Sequence, residues 1–169
     1  MIAAMRLIHI FGGVVWAGWV FSQVAFVIPA LRIAGPEGGK FMQILAGRTR
    51  LSMTMSLSSA LVVLTGIAMY GHVSGGLDGD WLSSAPGIAV TIGSLAGIAA
   101  FLIGLVVNRP TAARMSALGA QISARTGAPT PEELAELHSC QQRLAKASRV
   151  VAALLVIAVV SMAIERSLY

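Results

Sequence analysis

Few residues of this chain can bind a metal or carry a redox reaction, and two histidines dominate them. His9 and His72 lie 63 positions apart, and a neutral imidazole nitrogen ligates haem iron or copper. Met69, one helical turn before His72, and Met162 are soft thioether alternatives. Arg6 and Arg166 can pair with carboxylates such as haem propionates, while Trp16, Phe11 and Phe101 can wall an apolar cavity. Each histidine also has a plainer reading: His72 solvated at a water interface, and His9 hydrogen-bonded to a neighbouring helix or to Glu165. His138 stands among Glu136, Gln141 and Gln142 and reads as solvated. Cys140, two positions on, cannot share its face of a helix.

Much other chemistry is excluded. HExxH, GxSxG and Walker motifs are absent from the sequence. A single cysteine rules out an intramolecular disulfide, a CxxC pair, a Cys-rich zinc site and CxxCH haem attachment. No Asp, Glu, Lys or Arg interrupts the long apolar runs, which speaks against an intramembrane proton relay. The eight methionines are scattered, unlike a copper ladder.

The elements that must position the histidines are membrane spans. Of 169 residues, 56% are hydrophobic and 11% charged, with a mean hydropathy of +0.80; a soluble domain carries about 25% charged residues. Apolar runs lie near 7–31, 51–71, 86–107 and 150–164, lengths suited to a hydrocarbon core of about 30 Å. The first run exceeds a signal-peptide core and ends at no small-residue cleavage site, so it is read as retained. Before the last run, Thr130-Pro131-Glu132-Glu133 combines an N-cap, a first-turn proline and a capping-box glutamate. A helix therefore runs from Pro131 into span four, the Ala-rich stretch 111–125 prolongs span three, and Gly127-Ala128-Pro129 turns the chain between them. Pro110 predicts a kink. Span two can begin early, near Glu37, after the breaker run Gly35-Pro36-Glu37-Gly38-Gly39. The fold expected is all-α: one domain, an integral membrane up-and-down four-helix bundle with cytoplasmic helical extensions, a hairpin over about 111–148.

Ten of the 12 Lys and Arg residues fall after span one or between spans three and four, among them Arg32, Lys40, Arg48, Arg50, Arg109 and Arg149. Arg6, Arg166, Asp78 and Asp80 fall on the other side. The positive-inside rule then puts both termini outside a plasma membrane, the inner membrane of a bacterium. Tyr70, Trp81 and Tyr169 become an outer aromatic belt, and His9 and His72 come out at similar depth near that edge. The net charge of +5 reads as topology, not nucleic-acid binding, because no basic stripe is interleaved with aromatics.

Polar and small residues are expected to face inward, since lipid offers them no partner. On span one these are His9, Gly12, Gly13, Trp16, Val20, Gln23 and Val27, with Ile10, Val14, Ala17, Phe21, Val24 and Ile28 toward lipid. Span two offers Thr54, Ser58, Thr65, Met69 and His72; span three Ser94, Gly97, Phe101 and Gly104; span four Ser148, Leu155, Met162 and Glu165. Gly93-x-x-x-Gly97 permits close helix approach, read first as packing within one chain, with a homo-oligomer as the second option.

Arg6-Leu7-Ile8-His9 followed by Trp16-Ala17-Gly18 resembles the first span of copper-resistance D (CopD-like) membrane proteins. It is also similar to the first helix of HemJ-type protoporphyrinogen oxidases, four-helix proteins that bind haem b. Thr65-Gly66-Ile67-Ala68-Met69-Tyr70 and Arg109-Pro110 are similar to four-span proteins of the same neighbourhood. By this resemblance His9 is an axial or metal ligand. HemJ-type enzymes carry a lysine in a later span where this chain has none between Pro86 and Asn108, and copper-resistance D proteins are often longer. The resemblance thus implies the scaffold and its histidine. Three functions are expected in order. The first is a membrane haem b protein: His9, with His72 or Met69 opposite and Trp16 and Arg6 around the porphyrin, passes electrons to a quinone or a periplasmic partner. As an enzyme it would be a haem-dependent oxidoreductase. The second is an accessory membrane subunit docking a partner through the hairpin, and the third a copper-handling protein using His9 and His72.

Overall fold

The structure is a computed structural model that describes residues 1–35, 38–39, 41–42, 44–45 and 49–168. It is 89% helical, without a strand among the described residues. Helix α1 spans Ile2–Ala34, α2 Leu51–Val73, the short α3 Gly79–Ser83, α4 Ala85–Ala124 and α5 Pro131–Ile164. Four of them, α1, α2, α4 and α5, are long and apolar enough to cross a membrane, so the chain is an all-α four-helix bundle of the integral membrane kind. Its outward side chains agree: Phe11 is 74% exposed, Phe26 72% and Leu64 64%, surfaces that only lipid would cover without penalty. Lys40, Arg48, Tyr169, the Pro36-Glu37 start suggested for span two and the side chain of Arg166 lie outside the described residues.

Local chemistry sets the helix ends. The Asp78 carboxylate accepts from the Trp81 amide at 2.9 Å to open α3, and Ser84 Oγ accepts from the Gly87 amide at 3.2 Å to open α4. Thr130 closes a full capping box: its hydroxyl accepts from the Glu133 amide at 3.3 Å, and the Glu133 carboxylate accepts from the Thr130 amide at 2.8 Å.

Helices α4 and α5 share the broadest seam and α1 and α2 the next; thinner seams between α2 and α4 and between α1 and α5 close the ring. The core gathers Trp16, Ala17 and Val20 with Ala100, Val151 and Leu155. Gly93 lets α5 approach: a Cβ there would lie 3.2 Å from the Ala158 carbonyl oxygen, Ser161 Cβ and Met162 Cγ. Gly97 meets nothing within 4 Å, so one glycine of the pair packs against another helix among the described residues and the other does not.

Several inward faces differ from expectation. Ala17 is buried and Phe21 half-buried, whereas Phe11 faces out. On α4 the buried stripe is Pro86, Ala89, Gly93, Ala96 and Ala100, one position round from Ser94, Gly97, Phe101 and Gly104. On α2 Ser58 is buried, Thr65 and Met69 half-buried, and Thr54 and His72 exposed. On α5 Ser148 and Leu155 are buried, Met162 and Glu165 half-buried. The reason is physical: hydroxyls satisfy themselves on carbonyls three or four residues back, as Ser58 does on Met55 and Thr91 on Gly87. They need no inward partner, so close packing of small residues selects the face instead.

Two spans contain the same local departure. In α1 the turn Gln23–Val27 is a π turn, with the Ile28 amide donating to the Gln23 carbonyl; in α4 the turn Gly104–Asn108 repeats it, from the Arg109 amide to Gly104. Each ends two residues before a proline, Pro29 or Pro110, whose ring and missing N–H disturb the preceding turn. The expected kink at Pro110 is thus taken up as a widened turn. Thr111 Oγ1 donates to the Val107 carbonyl at 2.6 Å, while Asn108 Oδ1 is buried with no partner among the described residues. Past Pro110, α4 runs beside the start of α5 as a hairpin that buries Leu118, Gly119, Cys140 and Ala145. Arg114 Nε donates to Glu136 at 2.6 Å, and Arg125 pairs with Glu133.

Candidate functional site at His9

His9 sits in the third turn of α1, half-buried against α2. Its Nδ1 is 2.9 Å from the Val62 carbonyl oxygen and 3.2 Å from Thr65 Oγ1. A carbonyl only accepts, so Nδ1–H donates, and neutral imidazole then keeps its lone pair on Nε2. Gly66 makes the seat: a Cβ at that position would lie 3.0 Å from His9 Cε1. One turn along α1, a Cβ on Gly12 would meet Val62 Cγ2 at 3.0 Å and the Ser58 carbonyl oxygen at 3.4 Å. Two glycines, one on each helix, therefore fix the antiparallel register with His9 opposite Val62–Gly66.

That register separates the two histidines. His72 is exposed and lies seven residues past Thr65, about 10 Å further along α2. The expected matched depth fails because α1 begins at Ile2 and α2 continues to Val73, beyond the ends of the apolar runs. His9 is therefore seven residues inside its helix and His72 one. Met69 is half-buried, one turn from Thr65 in the direction of His72. Trp16 is 6% exposed in the bundle core, about 10 Å along α1 from His9, and Arg6 is exposed on the turn before His9. His138 Nε2 faces the Gln142 amide at 2.7 Å on the hairpin surface. Among the described residues no three His, Cys, Asp or Glu side chains converge as a metal cluster. The residues offer one anchored imidazole, with its free lone pair on Nε2. They do not fit ligation by His9 and His72 together.

Sequence reasoning misses two features. The first is the Gly66 seat. The second is a clasp at the His72 end, where Tyr70 OH and Thr91 Oγ1 are 2.6 Å apart and the Tyr70 and Trp81 rings meet edge to face at 5.7 Å. Gly87 makes room for it, since a Cβ there would lie 1.9 Å from the Trp81 carbonyl oxygen. The signal for the clasp is present in Tyr70 and Trp81, read only as belt residues. No protein-family model matches the chain, and no curated protein or solved structure matches it either.

Proposed function

We propose that this chain is a membrane haem b protein in which His9 Nε2 is the single protein ligand. Its role is one-electron transfer near the outer face of a plasma membrane, to a quinone or an extracytoplasmic partner. The observation that carries this reading is the anchored imidazole. A ligating histidine characteristically donates its other ring N–H to a carbonyl or carboxylate, which sets the tautomer and ring plane, and Val62 with Thr65 supplies that partner. When bound, haem supplies reversible one-electron chemistry. The chain's own part is to hold the imidazole plane and to offer Arg6 to carboxylates on the turn above. The orientation rests on the basic residues of the hairpin half, Arg109, Arg143, Lys146 and Arg149, which the positive-inside rule assigns to the cytoplasm.

The test is an oxidised and dithionite-reduced absorption spectrum of the protein in mild detergent. A Soret band that moves to the red on reduction, with the single broad visible band of haem held by one histidine, is expected, and His9→Ala should lower haem per protein by about tenfold or more with helical content unchanged. His72→Ala should leave haem in place. Unchanged haem in His9→Ala, or a featureless spectrum after expression with haem precursor, overturns the reading. A second reading, an accessory subunit, draws on the hairpin, whose packed and ion-paired helices form a ready docking surface. Loss of a co-purifying protein on deleting residues 111–146 would favour it.

A further inference from the structure

We propose that the groove between α1 and α2 is a binding site for one anionic phospholipid, with an acyl chain along the groove and the phosphate on Arg50. The groove holds about 740 Å³. Its walls are apolar, Leu7 and Phe11 on α1 against Leu57 and Leu61 on α2, and Gly12 and Ser58 line it too. The helices come together there at Gly12, where a Cβ would lie 3.4 Å from the Ser58 carbonyl oxygen, while the larger side chains stand on either side. His9 does not line it, so the site is independent of the haem reading.

Any acyl chain suits such walls; Arg50 narrows the occupant. It lines the same groove at the first turn of a membrane span, with the Thr54 side chain one turn on. A guanidinium against hydrocarbon is costly unless an anion meets it, and the phospholipid phosphate is the anion a bilayer offers at that depth. Guanidinium and phosphate pair through two parallel N–H donors. A zwitterionic lipid brings an ammonium that competes for its own phosphate. A quinone brings no anion, and a second copy of the chain across this groove brings another Arg50.

The experiment is native mass spectrometry of the full chain in mild detergent with equal amounts of phosphatidylglycerol and phosphatidylcholine of the same acyl chains. Retention of phosphatidylglycerol over phosphatidylcholine by about fivefold is expected from one arginine. Arg50→Gln should abolish that preference and Arg50→Lys should keep most of it. Ser58→Leu, which fills the groove, should lower retention of both lipids. Haem content should not change in Arg50→Gln. Equal retention of the two lipids, a preference that survives Arg50→Gln, displacement of lipid by a long-chain benzoquinone, or a dimer that excludes lipid would each overturn the proposal. Circular dichroism of every variant separates loss of binding from loss of fold.

Discussion

The Nδ1–Cε1 edge of His9 comes against α2 because residue 66 has no side chain. A methyl there would sit 3.0 Å from Cε1, tight enough to tilt the ring, and a branched side chain would expel it. Gly66→Val should therefore cut haem occupancy by about tenfold, the loss seen when the orienting environment of a ligand is removed, while helical content stays put. Haem per protein measured by pyridine haemochrome checks this, and full occupancy in Gly66→Val would mean that the ring does not need this seat. His9 itself is legible in the sequence, since a polar residue in a span must find a partner on another helix. Its partner is not legible, because Thr65-Gly66 acquires meaning only once the register of α1 on α2 is known. The same missing register hides the separation of His9 from His72: apolar run ends suggest equal depths, and helices that outrun those ends undo it.

Packing between elements turns on small residues, and here the two glycines of one motif behave oppositely. Gly93→Leu must push against a carbonyl and two side chains of α5, and should cost about 1–3 kcal/mol, as overpacking does. Gly97→Leu meets open space and should be close to neutral. Unfolding in a graded denaturing detergent measures both, and equal losses would mean that Gly97 packs against a second copy of the chain. At the hairpin, Thr130→Ala removes the hydroxyl of the capping box, worth about 1 kcal/mol to the start of α5. The two exposed ion pairs contribute less. Acid should act on the same turn. Hydrogen bonds from its backbone amide and the Thr130 hydroxyl hold the Glu132 carboxyl below the usual carboxylate range. Its contribution is therefore complete above that range and is lost as pH falls through the lowered value. Protection factors of the amides at residues 132–135, taken against the intrinsic exchange rate at each pH, should fall there in the wild type and respond less to pH in Thr130→Ala. The capping box is legible because its four residues are contiguous. The inward faces are only partly so, since hydroxyls bonded to their own helix do not report which way a helix faces.

At the scale of the molecule the apolar runs and the hairpin between spans three and four are legible without any structure, because hydropathy and capping are local properties. Sidedness is a matter of charge, and it has its own test. On a Cys140→Ala background, a membrane-impermeant maleimide should label Asp78→Cys in intact cells and Thr126→Cys only after permeabilisation; the reverse pattern would invert the topology. What local rules cannot reveal is the pair of widened turns. A ring closed from residue i to i+5 holds one residue more than an α-helical turn, so each of these turns is a phase slip of about 100°. A helical wheel drawn from the bundle half of α4 misaims every residue of its hairpin half, and α1 repeats the slip before Pro29. Deleting a single residue between 104 and 108 would remove the extra residue and let α4 run as an unbroken α-helix with its bundle face and its hairpin face both in place, whereas straightening the turn with no deletion would keep only one of them. The two halves of the chain are keyed to each other like offset gears, by one residue's worth of rotation stored above a proline.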